Sequence, residues 1–312
     1  MHPDNRIYIA GHTGLIGSAL VRKLKNAGFN QLLLASHDEL DLTDARKVDD
    51  FIDAHRPEYI ILAAGKVGGI VDNQTFPADF LTTNLAIQLN ILRAAHRINV
   101  ERLILFASSC MYPKSCPQPM SEAQLLTGTP EPTSLSYAIS KLAGTQLCLA
   151  YNQQYGKTRF LPLIPNSIYG PNDNFDPASA HVLSALMHRM TLARNIGQHE
   201  LCLWGSGKPL REFVFVDDIA EACILLLSTS LSEIQLPINI GSGEEYSIRA
   251  LAEQIAKVVD YRGKISWDTT RPDGAPRKFL DSSRIRSMGW TPKISLEEGL
   301  KLTHQWYSEE RA

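Results

Sequence analysis

The sequence predicts an α/β fold in which a doubly wound parallel sheet is joined to a smaller C-terminal lobe. Three observations support this fold. Short apolar runs alternate with helical patterns through the first half, a glycine-rich turn follows the first run, and the second half is less regular. The 312 residues are enough for one large domain or two lobes.

The first half follows a strand–helix alternation. The first helix has apolar residues at 15, 16, 19, 20 and 24, which share one face. Helices of this length between strands indicate a parallel sheet covered on both faces. We predict strands at residues 6–10, 31–35, 59–64 and 102–107, and helices at 15–27, 43–56, 84–98 and 136–155.

The second half predicts helices at 181–194, 216–227, 248–259 and 296–307. Strands are expected within 201–209 and at 237–240, and a loop at 165–177. Because no linker separates two units, the second lobe is expected to grow out of loops of the first. We assign residues 1–170 and about 212–243 to the sheet domain, and about 171–211 and 244–312 to the second lobe.

Composition excludes several classes of protein. A net charge of −2 argues against a surface that coats nucleic acid. No apolar run approaches the ~20 residues that span a bilayer, and the first residues lack the apolar core of a signal peptide. The 5 cysteines are scattered without a CxxC pair. We expect a cytoplasmic protein without disulfides, bound metal, nucleic acid or membrane.

The glycine-rich turn is the first functional motif. Glycines at positions 11, 14 and 17 would permit a tight turn, a close approach to a pyrophosphate, and close packing of helix on strand. The N–H groups at the start of the helix attract phosphate. The motif therefore predicts a Rossmann-type dinucleotide site formed by Gly11, His12, Thr13, Gly14, Leu15, Ile16 and Gly17.

The segment after the second strand should contact the adenosine ribose. An acidic residue there favours NAD, and an arginine favours NADP. The sequence has Ser36, His37 and Asp38, which satisfy neither rule. His37 would suit a phosphate, Asp38 would suit a ribose hydroxyl, and a solvated turn explains the segment equally well.

A second motif places Tyr137 and Lys141 on one helical face, four residues apart. An ammonium beside a phenol is expected to lower the phenol pKa from about 10, which would make Tyr137 a usable acid. Ser108 and Ser109 end the strand at 102–107, at the sheet edge where ligands bind in such folds. Together with the glycine turn, these residues predict a reductase site.

With these motifs in place, the chain resembles the extended short-chain dehydrogenase/reductase family. Five further stretches are similar to the family members that convert GDP-4-keto-6-deoxy-D-mannose to GDP-L-fucose by C3/C5 epimerisation and C4 reduction. The stretches are KVGGI at 66–70, SSCMYPK at 108–114, WGSG at 204–207, REF at 211–213 and PDGAPRK at 272–278. The likeness runs from about residue 7 to residue 306.

The resemblance implies a role for each catalytic candidate. Tyr137 would protonate the C4 oxygen, with Ser108 as its hydrogen-bonding partner and Ser109 as the alternative serine. Lys141 would hold the nicotinamide ribose. Cys110 and His181 would exchange protons at C3 and C5, since thiol and imidazole both titrate near neutrality.

The resemblance also implies a set of binding residues, a GDP-sugar substrate, NADP(H) with NAD(H) as the alternative, and a homodimer built on helices 84–98 and 136–155. Besides the turn at 11–17, the cofactor set is His37, Asp41, Leu42, Ala63, Ala64, Ser108, Lys141, Pro165, Asn166, Ser167, Ile168 and His181. The GDP-sugar contacts would be Arg189, Trp204, Arg211 and Asp273.

Two departures from the family pattern keep alternatives open. Thr13 and His37 stand where family members commonly carry arginine, so the preference for NADPH over NADH is open. Asn166 and Ser167 replace a threonine–asparagine pair beside the sugar. A related GDP-keto-deoxysugar or GDP-keto-heptose enzyme, a redox-neutral nucleotide-sugar 4-epimerase and a non-catalytic dinucleotide sensor are the competing interpretations.

Overall fold

The computed structural model describes residues 1–177, 179–229, 236–271 and 273–310. Its strands are β1 (Ile7–Ala10), β2 (Leu32–Leu33), β3 (Tyr59–Leu62), β4 (Arg102–Phe106), β5 (Phe160–Pro165), β6 (Ser167–Tyr169), β7 (Glu200–Trp204), β8 (Leu210–Phe215), β9 (Ile238–Ile240), β10 (Glu245–Ser247), β11 (Lys264–Asp268) and β12 (Arg277–Lys278).

The helices alternate with these strands in the first half and cluster in the second. They are α1 (Leu15–Asn26), α2 (Ala45–His55), α3 (Ile70–Thr75), α4 (Pro77–Arg97), α5 (Leu135–Tyr155), α6 (Val182–Asn195), α7 (Val216–Ser228), α8 (Ile248–Val258), α9 (Ser283–Ser287) and α10 (Leu296–Glu309). No helix within the described ranges is long and apolar enough to cross a bilayer.

The central sheet has six parallel strands in the order β2-β1-β3-β4-β5-β9. Side chains of β1 alternate between its two faces: Ile7 and Ile9 pack towards α1 and α7, whereas Tyr8 and Ala10 pack towards α2 and α4. The α/β fold with a doubly wound parallel sheet is therefore confirmed. Strand order reverses between β1 and β3, so the crevice at their carboxyl ends is where a ligand is expected.

The second lobe is built on smaller sheets. Strand β8 lies between β10 and β12 and also pairs with β6, while β7 pairs with β11. Helices α6, α8 and α10 cover these strands around a separate core that includes Leu186, Phe213 and Leu300. Between β8 and β10 the chain returns to the central sheet through α7 and β9, and after β9 it leaves that sheet again.

Some element predictions were wrong. Strand β5 was missed, because two prolines interrupt its fully buried run FLPLIP. The predicted loop at 165–177 contains β6, and α4 begins at Pro77, seven residues before the predicted start at Asn84. The predicted segments for α1, α5, α7 and α8 agree with the structure to within a residue or two at each end.

Candidate active site

The turn between β1 and α1 needs glycine at two positions for steric reasons. Gly11 has φ +82°, and a Cβ on it would lie 2.7 Å from the Ala64 backbone nitrogen. A Cβ on Gly17 would lie 2.0 Å from the Gly11 carbonyl oxygen. Gly14 is the N-cap of α1, and no side chain caps that helix end. The first N–H groups of α1 are therefore left without a side-chain cap, and the turn packs directly against the Ala63–Ala64 segment that follows β3.

His12 lies within this turn. Its Nδ1 atom is buried and has no hydrogen-bond partner among the residues that the structure describes. Such an unpaired buried atom is costly unless a ligand supplies its partner. The glycine turn, the start of α1 without a side-chain cap and this unpaired nitrogen together fit a site for a bound dinucleotide.

The segment after β2 carries carboxylates beside its imidazole. Glu39 accepts hydrogen bonds from the Ser36 backbone nitrogen (2.7 Å) and hydroxyl (2.9 Å), and these bonds lower the pKa of Glu39. Asp41 accepts from the Thr43 hydroxyl at 2.7 Å, which lowers the pKa of Asp41, and the charge of His37 acts in the same direction. The predicted cofactor residues His37, Asp41 and buried Leu42 thus lie in an acidic neighbourhood.

Three predicted catalytic residues meet at the carboxyl end of β4. The Ser108 hydroxyl lies close enough to the Tyr137 phenol to lower its pKa. Lys141 is only 5% exposed, and its ammonium donates to the Phe106 carbonyl at 2.9 Å. The same ammonium stands 5.8 Å from the centre of the Tyr137 ring. The edge of Phe80 packs on that ring and helps to fix it.

The prediction of a lowered pKa for Tyr137 was wrong. Burial raises the pKa of Tyr137 strongly; the neighbouring Cys110 adds to the rise and the Ser108 hydrogen bond opposes it. Burial also lowers the pKa of Lys141 to about 8, because the ammonium has left water. Tyr137 therefore keeps its proton at neutral pH and is a donor.

Cys110 belongs to the same turn. Its backbone nitrogen donates to the Ser108 hydroxyl at 3.2 Å, within a short 3₁₀ segment, Ser109–Met111. Its Sγ lies 3.9 Å from the Lys278 ammonium. The sequence motif PDGAPRK contained Lys278, but only the fold shows that this lysine reaches a thiol 168 positions away.

His181 lies on a different segment. It is the N-cap of α6, its side chain is exposed, and its charge lowers the pKa of Asp173, although burial raises that pKa more. Asp173 also accepts a hydrogen bond from the Ser184 hydroxyl. Ser179, two residues before His181, has its carbonyl oxygen 3.6 Å from where a Gly69 Cβ would lie. The loop that ends at His181 therefore packs against the KVGGI segment.

Asn166 connects the two sheets rather than facing an open pocket. Its amide nitrogen donates to Glu212 at 2.7 Å and to the Lys278 carbonyl at 3.2 Å. Its amide oxygen accepts from the Ser109 hydroxyl at 3.4 Å. Glu212 was missed from the sequence because its partners come from distant segments. The neighbouring cofactor candidates Pro165, Ser167 and Ile168 span the β5–β6 junction.

The predicted GDP-sugar contacts lie on the second lobe. Arg189 donates to the Cys202 carbonyl at 2.7 Å, and burial lowers the pKa of Arg211, whose guanidinium donates to the Leu210 carbonyl. Asp273 accepts from the Ser206 nitrogen and hydroxyl at 2.9 and 2.7 Å, and its charge interacts with Arg211. Trp204 is 69% exposed and stacks 5.0 Å from the Arg271 guanidinium.

No cluster of three or more metal-ligating side chains occurs within the described ranges. Pro272, which belongs to the PDGAPRK motif, lies outside them.

The parallel sheet, the glycine turn and the Ser108–Tyr137–Lys141 group define a Rossmann-fold oxidoreductase of the short-chain type. The chain belongs to the NAD dependent epimerase/dehydratase family, whose family model matches residues 7–241.

Curated relatives are similar over almost the whole chain. It is 51% identical to GDP-L-fucose synthase 1 of Arabidopsis thaliana over 302 residues, which cover 97% of this chain and 93% of that protein. It is 46% identical to GDP-L-fucose synthase of Escherichia coli strain K12, with 97% of each chain covered. Among solved structures, a GDP-L-fucose synthetase from Naegleria fowleri bound to NADP has a TM-score of 0.91 at 30% identity, covering 100% of this chain and 95% of that one.

Proposed function

We propose that the protein converts GDP-4-keto-6-deoxy-D-mannose to GDP-L-fucose, first inverting C3 and C5 and then reducing C4. The observation that carries this proposal is the arrangement at the end of β4, where a thiol, a serine hydroxyl, a phenol and a buried ammonium stand within one turn and one helix. The relatives named GDP-L-fucose synthase support the choice of substrate.

The cofactor proposed for the site is NADP(H), with NAD(H) as the alternative. The turn at 11–17 and Ala63–Ala64 would bind the pyrophosphate, and His37, Asp41 and Leu42 would surround the adenosine ribose. Lys141 would donate to the nicotinamide ribose, and Pro165 to Ile168 would line the nicotinamide side, with His181 across from them. When bound, the reduced nicotinamide supplies the hydride for C4.

In the reduction step, Tyr137 donates the proton that the C4 oxygen receives. The C4 oxygen becomes strongly basic as it gains an electron pair, so a phenol that holds its proton in the resting site can still deliver it. The Ser108 hydroxyl donates a hydrogen bond to the same oxygen and stabilises its negative charge. Because Lys141 is charged below pH about 8, it helps the phenol to release the proton.

Epimerisation uses the acidity of the C–H bonds next to the C4 ketone. Cys110, as thiolate, removes a proton from C3 or C5, and His181 returns one on the opposite face. Ser108 stabilises the enolate oxygen formed between the two events. Cys110 and His181 come from different segments, as inversion requires groups that approach a carbon from two sides.

The second lobe is proposed to bind the GDP part of the substrate. Arg189 and Arg211 offer guanidinium groups to the pyrophosphate. The exposed ring of Trp204 offers an apolar face to the base or ribose, and Asp273 offers a carboxylate to their donor groups. In this proposal, residues of about 171–211 and 244–312 together with strand β8 bind the nucleotide-sugar, and the rest of the chain binds the cofactor.

A second candidate substrate is a GDP-keto-heptose or another GDP-keto-deoxysugar. The observation in its favour is the Asn166–Ser167 pair, which replaces the family's usual residues beside the sugar. A GDP-6-OMe-4-keto-L-xylo-heptose reductase from C. jejuni has a TM-score of 0.92 at 33% identity, covering 99% of each chain. A redox-neutral 4-epimerase would not need Cys110 or His181.

We also propose a cytoplasmic homodimer that packs α4 and α5 against their copies. Leu89 on α4 is 52% exposed and Ile139 on α5 is 44% exposed, so apolar side chains project from the outer face of this helix pair. All five cysteines are free thiols, which fits a reducing compartment. In size-exclusion chromatography with light scattering, a Leu89→Glu/Ile139→Glu variant should have the mass of a monomer. A variant that remains a dimer would exclude this interface.

Product identification tests the main proposal. The protein is incubated with GDP-4-keto-6-deoxy-D-mannose and NADPH or NADH, and the sugar is assigned by NMR. GDP-L-fucose with one equivalent of oxidised cofactor is expected. A 4-reduced sugar with unchanged C3 and C5 would make the protein a reductase only, and no reduction with this sugar would favour the heptose alternative.

A further inference from the structure

Glu212 is a buried carboxylate at the joint between the two parts of the protein. It is 0% exposed, it lies in β8 of the second lobe, and its carboxylate reaches the loop after β9 of the central sheet. A buried carboxylate is stable only when its oxygens are hydrogen-bonded. The partners of Glu212 therefore reveal what it holds in place.

All three partners of Glu212 are N–H donors. They are the Asn166 amide at 2.7 Å, the Gly243 backbone nitrogen at 2.7 Å and the Leu280 backbone nitrogen at 3.1 Å. Burial raises the pKa of Glu212, while these three bonds favour its charged form. Only a group with two acceptor oxygens satisfies three donors, so glutamate is specifically suited to this position.

The neighbouring backbone is shaped around this carboxylate. A Cβ on Gly241 would lie 2.3 Å and 2.5 Å from the two Glu212 oxygens, much closer than a non-bonded Cβ atom approaches another atom. Gly241 therefore leaves the space into which the carboxylate fits.

Asn166 transmits this arrangement to the serine turn. Because its amide nitrogen donates to Glu212 and to the Lys278 carbonyl, its amide oxygen must face the other way, towards the Ser109 hydroxyl. The carboxylate thus fixes which end of the amide Ser109 meets, because a flipped amide would turn its oxygen towards two acceptors, the Glu212 carboxylate and the Lys278 carbonyl.

The segment 278–280 connects the Glu212 carboxylate to the Cys110 thiol. Leu280 is tied to Glu212 through its nitrogen, and Lys278 is tied to Asn166 through its carbonyl. These two backbone bonds lie on either side of Phe279 and set the position from which the Lys278 ammonium reaches Cys110, at 3.9 Å. The Glu212 carboxylate therefore fixes two groups beside Cys110: the amide oxygen that Ser109 contacts and the backbone that carries Lys278.

We propose that Glu212 is a positioning residue that holds the Lys278 ammonium against Cys110, and that Lys278 stabilises the thiolate there. The role of the thiolate as a base rests on the proposed function. An ammonium within about 4 Å of a sulfur favours negative charge on it, most strongly where water is scarce.

The test measures the charge next to Cys110 without using the sugar. The full-length protein is alkylated with anionic iodoacetate or neutral iodoacetamide, and the rate at Cys110 is read from its peptide by mass spectrometry. The ratio of the two rates reports the local positive charge. Lys278→Met should lower this ratio by about threefold or more, the scale of losing one partly screened charge a few ångströms away.

Glu212→Gln separates positioning from a simple charge effect. If Glu212 positions Lys278, the variant lets the lysine leave and the ratio falls towards that of Lys278→Met. If Glu212 acts only through space, removal of its negative charge raises the ratio. A raised or unchanged ratio, or an unchanged ratio in Lys278→Met, would overturn the proposal.

Two further variants control for a failure of Glu212→Gln to fold and for the loss of one negative charge. Gly241→Ala pushes the carboxylate aside but keeps its charge, so it should lower the ratio in the same way even if Glu212→Gln does not fold. Glu245→Gln is the matched control on the adjacent strand, because the Glu245 carboxylate faces Arg277, and its ratio should stay within error of the unaltered protein.

A parallel measurement in D₂O follows deuterium uptake at C3 and C5 of the sugar. Glu212→Gln should slow this uptake more than it slows hydride consumption from a pre-inverted sugar. If the unaltered protein takes up no deuterium, the proposed function fails while the alkylation ratios still judge the role of Glu212.

Discussion

Lys141 and Trp204 illustrate two ways of building one site. Lys141 on α5 is 5% exposed and donates to the Phe106 carbonyl at the end of β4, whereas Trp204 is 69% exposed at the end of a strand in a two-stranded sheet. The reducing half is held by packing before any ligand arrives. The half proposed to bind GDP presents side chains at the surface, and several of them are hydrogen-bonded to neighbouring carbonyls, amides or hydroxyls.

This difference teaches where each kind of defect should appear. A change in the packed half alters chemistry on bound substrate and should lower kcat. A change in the exposed half removes binding contacts and should raise KM. The predictions below run from the largest expected effect to the smallest.

Tyr137→Phe should have the largest effect. It keeps the ring that packs on Phe80 but removes the proton donor, so we expect reduction to fall by about 10²-fold or more, with cofactor binding retained. Stopped-flow oxidation of NADPH measures the first quantity and fluorescence titration the second. Tyr151→Phe, on the same helix but packed against Phe160, is the control that should reduce normally. Near-normal reduction in Tyr137→Phe would exclude this residue from the mechanism.

Cys110→Ser tests whether the packed half also inverts carbon centres. A hydroxyl ionises far less readily than a thiol, so deuterium uptake at the carbon served by Cys110 should fall by about 10²-fold. Reduction does not need the thiol, so the variant should still oxidise NADPH and release a sugar with at least one centre uninverted. His181→Asn should lower the yield of doubly inverted sugar.

The matched control for that experiment is Cys116→Ser. Cys116 lies nearby but directs its sulfur to the Gln124 amide oxygen, so its variant should invert both centres normally. Complete inversion by Cys110→Ser, read by NMR, would leave a reductase without its own epimerase.

Site residues could be predicted from the sequence where they lie close together along the chain, and not where they meet distant partners. The proximity of Ser108, Tyr137 and Lys141 could be predicted because each lies at a strand end or on one helix face, where spacing dictates proximity. The direction of the Tyr137 pKa was missed because spacing does not report burial. Glu212 and Lys278 meet partners 46 and 168 positions away, and no period in the sequence encodes such a pairing.

The same reasoning explains the fold. The βαβ half could be predicted since each unit carries its own 3.6-residue or two-residue pattern. The second lobe was predicted less well because β8 pairs with three strands, one of them two residues long, that are scattered over more than a hundred positions. Strands that short have no pattern of their own.

Lys141 predicts a moderate pH effect that is confined to the packed half. Burial sets its pKa at about 8, so the ammonium loses its proton as the pH rises through that value. Single-turnover reduction should therefore decline above pH about 8, by up to tenfold per pH unit. Lys141→Arg should flatten the decline, because a guanidinium stays charged. A profile that is flat to pH 9.5 would show that the charge on Lys141 is not needed.

The stability of the folded protein should change with pH in the opposite direction to the rate of reduction. The folded pKa lies below the unfolded value near 10.5, so between these values the unfolded chain binds more protons than the folded one. Stability contributed by this site should rise, not fall, as the pH increases from about 8 to 10.5. Urea unfolding of the full-length protein at several pH values, compared with Lys141→Met, checks this sign.

The smallest effect concerns the cofactor, where the segment after β2 is proposed to contact the adenosine ribose. Thr13 and His37 offer no permanent positive charge, and Glu39 and Asp41 lie close by, so we expect only a weak preference for NADPH over NADH, about tenfold or less. His37→Arg should strengthen the preference for NADPH, because a guanidinium carries a permanent charge that pairs with a 2′-phosphate, whereas His37→Asn should leave the preference weak. The ratio of kcat/KM for NADPH and NADH, measured for all three proteins at one pH, checks this. If the unaltered protein instead prefers NADPH strongly, another group binds the phosphate, and His12, whose buried Nδ1 lacks a partner among the described residues, is the next residue to replace.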